Sequence, residues 1–404
     1  MLKDKAFSNT HTIKVLMIGF SSQIHSMRPL NWLLERGCRV VFSNGVNPFP
    51  DGKEGFSFVR FPKSRGGRVL PKLLGNRVGS ALYEVLAWVP IMRLKMQWKR
   101  IRPSIVHVHW VDDRAYFCVK AGLRPLVLTV WGSDINILFL PDANPAARRR
   151  VGKALASADL VLIDSADLHK KCSEIAGRDV STKLFSQGIN MARFRPGYQQ
   201  EALEWRQRLD IPTGAIVLLS IRAWLPLYRH ESILKAFARA LPQLNSKAVL
   251  VFKFLHRPIV NPNLYENELR DLAEKLGVSQ MVRWMDEVPL HKVPEVYSFA
   301  DVILNYPSMD AFPVTFLEAA ACERPVISCQ LPAYAGTFAE DYFRMVSPND
   351  PAELSDAIVE FVNQGRAGSL KPLSELRQLV CQQYDEKIVA DRLLDIYSRL
   401  SSPS

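Results

Sequence analysis

The sequence predicts an α/β protein of two doubly wound, parallel-sheet domains of the Rossmann kind. Two observations carry the prediction. Short, almost wholly apolar runs alternate with helical stretches along the chain, and strands covered on both faces of a parallel sheet read that way rather than as alternating apolar and polar residues. The runs also fall into two sets, parted by a segment that has glycines, a proline and no apolar period.

In the first set, strands are expected at 13–19 (IKVLMIG), 39–43 (RVVFS), 105–109 (IVHVH), 126–131 (LVLTVW) and 159–163 (DLVLI). In the second they are expected at 216–221 (IVLLSI), 248–254 (AVLVFKF), 281–284 (MVRW), 301–305 (DVILN) and 325–329 (PVISC). The parting segment is 186–200, SQGINMARFRPGYQQ. This gives an N-terminal domain over 1–195, a C-terminal domain over 196–380 and a terminal helix over 381–404 that packs back toward the N-terminal domain. A chain of 404 residues is long enough for two such cores. Its 48% hydrophobic and 23% charged residues are those of an ordinary globular protein.

Charge divides the chain. Residues 1–200 hold 31 Lys and Arg against 14 Asp and Glu, a net +17, and the remainder holds 21 against 26, a net −5. A basic half attracts nucleic acid, anionic lipid or acidic substrate. No zinc-finger spacing, RNP-like aromatic motif or basic-leucine heptad accompanies it, so nucleic acid is set aside. No run of about 18 uncharged apolar residues is present to span a membrane. The first residues, MLKDKAFSNTHTIKVLMIGF, lack a long apolar stretch ending in small residues, and the expected location is the cytoplasm. Cys38, Cys118, Cys172, Cys322, Cys329 and Cys381 are scattered with no C-x-x-C pair, which fits reduced thiols.

In open α/β sheets the ligand sits beyond the carboxyl ends of the strands. Those places hold Gly19 to His25, His109, Trp110, Trp131 to Asp134, Asp164, Ser165, Arg222, Lys253 and Asp310. Two such edges turned toward each other would make a cleft for a small molecule. The most distinctive stretch is 308–327, SMDAFPVTFLEAAACERPVI, where a strand passes through a turn into a helix with Pro313 in its first turn. Amides at that helix start face an anion, and Glu318 reaches the hydroxyls of a bound sugar. A plainer reading has Asp310 capping the helix and Glu318 solvated. From these residues alone both readings stand.

The remaining segments run in an order that resembles a known family. They are FSSQIHSMRPLNWLLERGCRVVF (20–42), RPSIVHVHW (102–110), VLTVWGSDI (127–135), ADLVLIDSADL (158–168), QGINMARFRPG (187–197), SIRAWLPLYRHESILKAF (220–237) and VPLHKVPEVYSFADVILNYPS (288–308). With the acidic residue, seven others and a Glu of Asp310 to Glu318, the chain resembles the retaining GT-B glycosyltransferases of the family-4 kind. The resemblance implies transfer of a sugar, with retention, from a nucleotide-diphosphate donor to a hydroxyl of a glycan or lipid-linked acceptor. The setting it implies is cell-surface polysaccharide or glycolipid synthesis.

By position, the family's ribose-binding Glu falls on Glu318 and the carboxylate that approaches the sugar on Asp310. Arg222 matches the first diphosphate-binding cation. Leu227 and Tyr228 occupy the region of the second, leaving Arg229 or Lys253 to supply it. The amides of Phe312, Pro313 and Val314 mark the helix start, of which Pro313 has no N–H to offer. The family's usual His near the reacting sugar is Trp131 here, with His109 or Asp134 to stand in, and VFKFLHRP (251–258) replaces a Gly-rich turn. The family has no settled protein nucleophile, and none is assigned. No cofactor or metal beyond the donor substrate is implied.

Three further readings remain. One is a catalytically silent GT-B scaffold or sugar-nucleotide-binding protein, favoured by Trp131 and the missing loop lysine. Another is a two-domain sugar-nucleotide epimerase. His107 and His109, two apart on one strand face, also invite a metal site, but the further ligands that it needs are not evident. Residues 60–103 are the most basic part, with a stripe of Leu82, Val85, Leu86, Val89 and Met92 interrupted near Pro90. That stripe either packs on the sheet or docks on an anionic membrane surface.

Overall fold

The computed structural model describes residues 13–20, 24–44, 46–49, 51–62, 82–253, 264–364 and 371–401. The chain forms two units, Met1–Gln187 with Lys387–Ser404, and Gly188–Glu386. The division falls at 187/188, ahead of the expected 195/196. Ile189 and Asp385 explain the difference, since they form a parallel bridge inside the second unit at the places where the chain enters and leaves it. The amide of Ile189 donates to the Tyr384 carbonyl at 2.9 Å, and that of Glu386 to the Ile189 carbonyl at 2.9 Å.

Among the described residues the first unit has a seven-stranded parallel sheet ordered β3-β2-β1-β4-β5-β6-β7. Its strands are β1 Lys14–Ile18, β2 Arg39–Asn44, β3 Phe56–Arg60, β4 Ile105–His109, β5 Leu126–Thr129, β6 Leu160–Ile163 and β7 Thr182–Leu184. Among the described residues the second unit has six parallel strands ordered β10-β9-β8-β11-β12-β13. They are β8 Ile216–Ser220, β9 Ala248–Lys253, β10 Val282–Met285, β11 Val302–Asn305, β12 Val326–Cys329 and β13 Arg344–Val346. Each is a doubly wound, Rossmann-like sheet, with the order reversing at β1/β4 and at β8/β11.

The ten expected strands are all present. The three additional ones, β3, β7 and β13, are edge strands. An edge strand is covered on fewer sides, so it lacks the continuous apolar run that marks a central one. β3 is nowhere fully buried, and Lys183 and Leu184 of β7 are exposed. Central β4 and β9, by contrast, are buried at every residue.

The terminal part is two helices, Leu373–Tyr384 and Glu386–Ser401, separated at Asp385. Val389, Ala390, Leu393, Ile396 and Tyr397 of the second join Val15, Met17, Val40, Phe42 and Ile105 in the core of the first unit.

The apolar stripe, read either as packing on the sheet or as docking on a membrane surface, is on the outside. Residues 82–86 and Trp88–Ile101 are helical, with Ala87 as a turn between them, because Pro90 has no N–H to close the ladder. The buried face is Tyr83, Ala87, Pro90, Ile91 and Leu94. Tyr83 anchors it by donating to Asp113 at 2.6 Å. Leu82, Val85, Leu86, Val89 and Met92 are exposed.

Candidate functional site

The reversal of strand order in the second unit puts the turns after β8 and β11 side by side, and a charged pair forms there. Nη2 of Arg222 lies 3.0 Å from Oδ1 and 2.9 Å from Oδ2 of Asp310. The same carboxylate accepts from the Tyr334 hydroxyl at 2.9 Å and from the Ala311 amide at 3.0 Å. Tyr334 is in turn reached by the Asn305 amide nitrogen at 3.2 Å. Burial alone would lower the Arg222 pKa, but the Asp310 carboxylate outweighs it and holds the guanidinium above its ordinary value. The guanidinium also lies 4.3 Å from the centre of the Tyr228 ring. Asp310 therefore does not cap the following helix, whose N-cap is Pro313 with no side-chain cap bond.

That helix, Val314–Ala321, starts one residue later than Pro313 suggests and ends at Ala321. Glu318 lies on its half-buried side, and the Tyr297 hydroxyl donates to its Oε2 at 2.9 Å. Burial first, then the nearby Glu318 charge, pushes the Tyr297 hydroxyl pKa well up, so it remains a donor. Lys253 ends β9 and is 1% exposed. Burial lowers its pKa, against Glu287 and Glu318, which raise it. Of the two expected second cations, Lys253 is the one whose charge Glu318 acts on, although burial outweighs that carboxylate. Arg229 turns the other way, donating through Nη1 to the Pro348 carbonyl and lying 5.9 Å from the Tyr306 ring centre.

Of the expected helix-start residues, Phe312 sends its side chain into the core among Phe316, Phe338 and Tyr384. Val314 packs against the same core. Their contribution to a ligand would come from backbone.

His230 is a positioning residue that sequence reading missed. It is fully buried, with Nε2 3.0 Å from the Ala223 carbonyl and Nδ1 3.2 Å from Ser220 Oγ. It thus ties the loop carrying Arg222 to the end of β8. Burial lowers its pKa to about 4, so it is neutral at pH 7. Its signal in the sequence was only its place at the head of the His230–Ala240 helix.

In the first unit, His109 ends β4 and stacks on Trp131, with ring centres 5.8 Å apart and planes 18° apart. Its other face meets His107 at 4.0 Å. His107 is hydrogen-bonded to the Tyr397 hydroxyl at 2.5 Å and to Thr129 Oγ1 at 2.6 Å. Those partners account for His107 as a buried structural residue. Among the described residues no three His, Cys, Asp or Glu side chains come together as a metal-ligand set.

Asp134 is 2% exposed and accepts from the amides of Val111 and Trp131 at 2.9 and 3.0 Å. Both oxygens therefore brace the loops after β4 and β5. Burial raises its pKa to about 7, against the backbone hydrogen bonds that lower it. Gly132 beside it has φ +90, a conformation that glycine adopts without strain. Trp110 adopts φ 74, which costs a bulky residue on the order of 1–3 kcal/mol. At Gly19 an added Cβ would lie 2.7 Å from Ser26 Oγ, so a side chain there would require Ser26 to shift. Residues 21–23, the basic stretch 63–81 and most of VFKFLHRP lie outside the described residues.

This geometry can be set beside known proteins. Residues 201–376 match the family described as Glycosyl transferases group 1, and residues 14–165 match Glycosyl transferase 4-like. The chain belongs to the group 1, family-4 glycosyltransferases. Among its relatives, D-inositol 3-phosphate glycosyltransferase of Streptosporangium roseum is 25% identical over 320 residues, 76% of this chain and 72% of that one. The putative teichuronic acid biosynthesis glycosyltransferase of Bacillus subtilis is 23% identical over 404 residues, covering 98% of this chain and 95% of its own. Among solved structures, Anabaena HepE in complex with UDP superimposes with a TM-score of 0.72 at 15% identity, over 96% of this chain and all of that one. The same protein was solved with UDP-glucose. This glycosyltransferase therefore has the fold of the GT-B enzymes, each of its units a Rossmann-like sheet.

Proposed function

We propose that the protein is a retaining glycosyltransferase that moves a hexose from a nucleotide-diphosphate sugar to a hydroxyl of a glycan or lipid-linked acceptor in the cytoplasm. The observation that carries the reading is the meeting of Arg222 and Asp310 at the β8/β11 reversal, beside the helix that carries Glu318. A departing nucleoside diphosphate accumulates negative charge, and fixed cations preorganised in a buried place stabilise it. Arg222 and Lys253 take that role, with the amides of Phe312 and Val314 at the helix start. Glu318, held by Tyr297, takes the ribose hydroxyls. Asp310 orients Arg222 and presents its carboxylate toward the sugar.

In the first unit, Trp131, backed by the buried His109, offers a ring for sugar contact, and Asp134 fixes its loops. The acceptor's contacts are assigned to this basic unit. The reading assigns no cofactor and no divalent cation, because protein cations meet the diphosphate charge. The relatives' names, and the UDP and UDP-glucose bound to HepE, support a sugar-nucleotide donor and a role in cell-surface polysaccharide or glycolipid synthesis.

The experiment is incubation with UDP-, GDP- and ADP-sugars, with and without glycan and lipid-linked acceptors, followed by mass spectrometry and NMR of the anomeric centre. A new glycoside with the donor's configuration supports the reading. Nucleotide binding without turnover would favour a silent scaffold, and an altered sugar nucleotide without acceptor would favour an epimerase.

A further inference from the structure

The helical stretch 82–101 of the first unit is apolar on both sides. At about 100° per residue, Tyr83, Ala87, Ile91 and Leu94 make the buried side, while Val85, Val89, Met92 and Met96 point the opposite way. Val85 is 69% exposed, Trp88 66%, Met96 59% and Val89 56%. A helix that is apolar all round ordinarily has both sides covered. Here one side is presented to the outside among the described residues, and its residues are contiguous rather than scattered.

Charge identifies the occupant. Arg93 and Arg100 run along one border of the apolar side and Lys95 and Lys99 along the other, all four exposed. Over residues 60–103 the sequence has 11 Lys and Arg against a single acidic residue, Glu84. Glu84, the one acidic residue, is turned to the Tyr116 hydroxyl, from which it accepts at 2.8 Å. A surface with an apolar centre, an indole at its edge and cations on both flanks is complementary to the interface of an anionic bilayer. Apolar side chains and tryptophan enter the acyl boundary there, and basic residues meet the headgroups.

We propose that Val85, Trp88, Val89, Met92 and Met96, flanked by Arg93, Lys95, Lys99 and Arg100, dock the first unit on an anionic lipid surface. No helix among the described residues is long and apolar enough to cross a membrane, so the attachment is in the plane of the interface. The docking is independent of the sugar-transfer reading, since lipid binding is observed without any sugar nucleotide.

The test is flotation of the full chain with vesicles of phosphatidylcholine alone or mixed with phosphatidylglycerol. Two variants accompany it: Val85→Gln with Val89→Gln and Met96→Gln, and Arg93→Gln with Lys95→Gln, Lys99→Gln and Arg100→Gln. Exposed substitutions leave the unfolding midpoint near wild type, which circular dichroism verifies. Wild type is expected to float with the phosphatidylglycerol vesicles and to be released by high salt. Each basic residue removed weakens binding about fivefold, so the charge variant loses several hundredfold, and the apolar variant also fails to float. Wild type that stays with the soluble fraction, or variants that bind as wild type does, would overturn the proposal. So would self-association in sedimentation that the apolar variant abolishes, with no vesicle binding.

Discussion

The guanidinium of Arg222 sits 2.9 Å from the carboxylate of Asp310, joining turns that are 88 residues apart in the chain. Both side chains are about one-tenth exposed, so each is the other's main compensation for lost hydration. Arg222→Ala is therefore expected to cost about 3–5 kcal/mol by stranding a buried carboxylate. Arg222→Met with Asp310→Asn should recover most of that stability without recovering transfer. Urea unfolding of the three proteins checks the stabilities, and a transfer assay checks the activity. A single variant as stable as wild type would show that the pair is not a stabilising contact.

Tyr297 is predicted to act through Glu318. Tyr297→Phe removes the hydroxyl that donates to Oε2 and leaves the ring's packing in place. Hydrogen bonds to charged groups contribute about 1.5–3 kcal/mol, and the donor KM is expected to rise about tenfold with a smaller change in kcat. Steady-state kinetics at varied donor concentration separates the two. Equal KM values would leave Tyr297 as a packing residue only.

Asp134 gives a pH dependence of defined sign. Its pKa rises from 3.8 to about 7 on folding, so the folded state binds the proton more tightly. The associated stability is present below pH 3.8 and is lost as pH rises toward about 7, by at most about 1.4 kcal/mol per pH unit. His107 and His230 act in the opposite sense. Their pKa values fall to about 3 and about 4, so their stability is present above pH 6.5 and is lost as pH falls. Asp134→Asn isolates the first effect: the wild-type-minus-variant difference in unfolding free energy should decline from pH 4 to pH 7. A flat difference would place its pKa near the ordinary carboxylate value.

Lys253 is expected to serve the leaving diphosphate in place of a divalent ion. Lys253→Met suits the buried position and should lower kcat about 100-fold, the effect of removing one preorganised electrostatic donor. EDTA should leave the wild-type rate unchanged. A rate restored only by added magnesium would contradict the assignment.

Much of the fold is legible because buried parallel strands carry an unbroken apolar run, as IVHVH does in β4 and AVLVFK in β9. The edge strands escape because Phe56–Arg60, Thr182–Leu184 and Arg344–Val346 are short or half covered. The direction of a helix face is harder to read, since 82–101 has apolar residues on both sides and distant contacts, such as those of Tyr83 with Asp113, Phe117 and Arg150, decide which is inward. At the site, strand ends locate Arg222, Lys253 and Asp310. The Arg222–Asp310 pairing, the turn of Arg229 toward Pro348 and the bracing by His230 depend on contacts over distance in sequence that no local pattern encodes.

Glu318 offers the most direct measurement, because the nucleotide-holding role proposed for it is separable from its role in the fold. Glu318→Gln preserves the shape and the acceptor oxygen for Tyr297 while removing the charge. Calorimetric titration of wild type and variant with UDP-, GDP- and ADP-sugars should show one nucleotide bound by wild type, at least about tenfold more weakly by the variant, with matching thermal unfolding. Equal affinities in the two proteins, or no sugar nucleotide bound by wild type, would contradict a donor site at this helix.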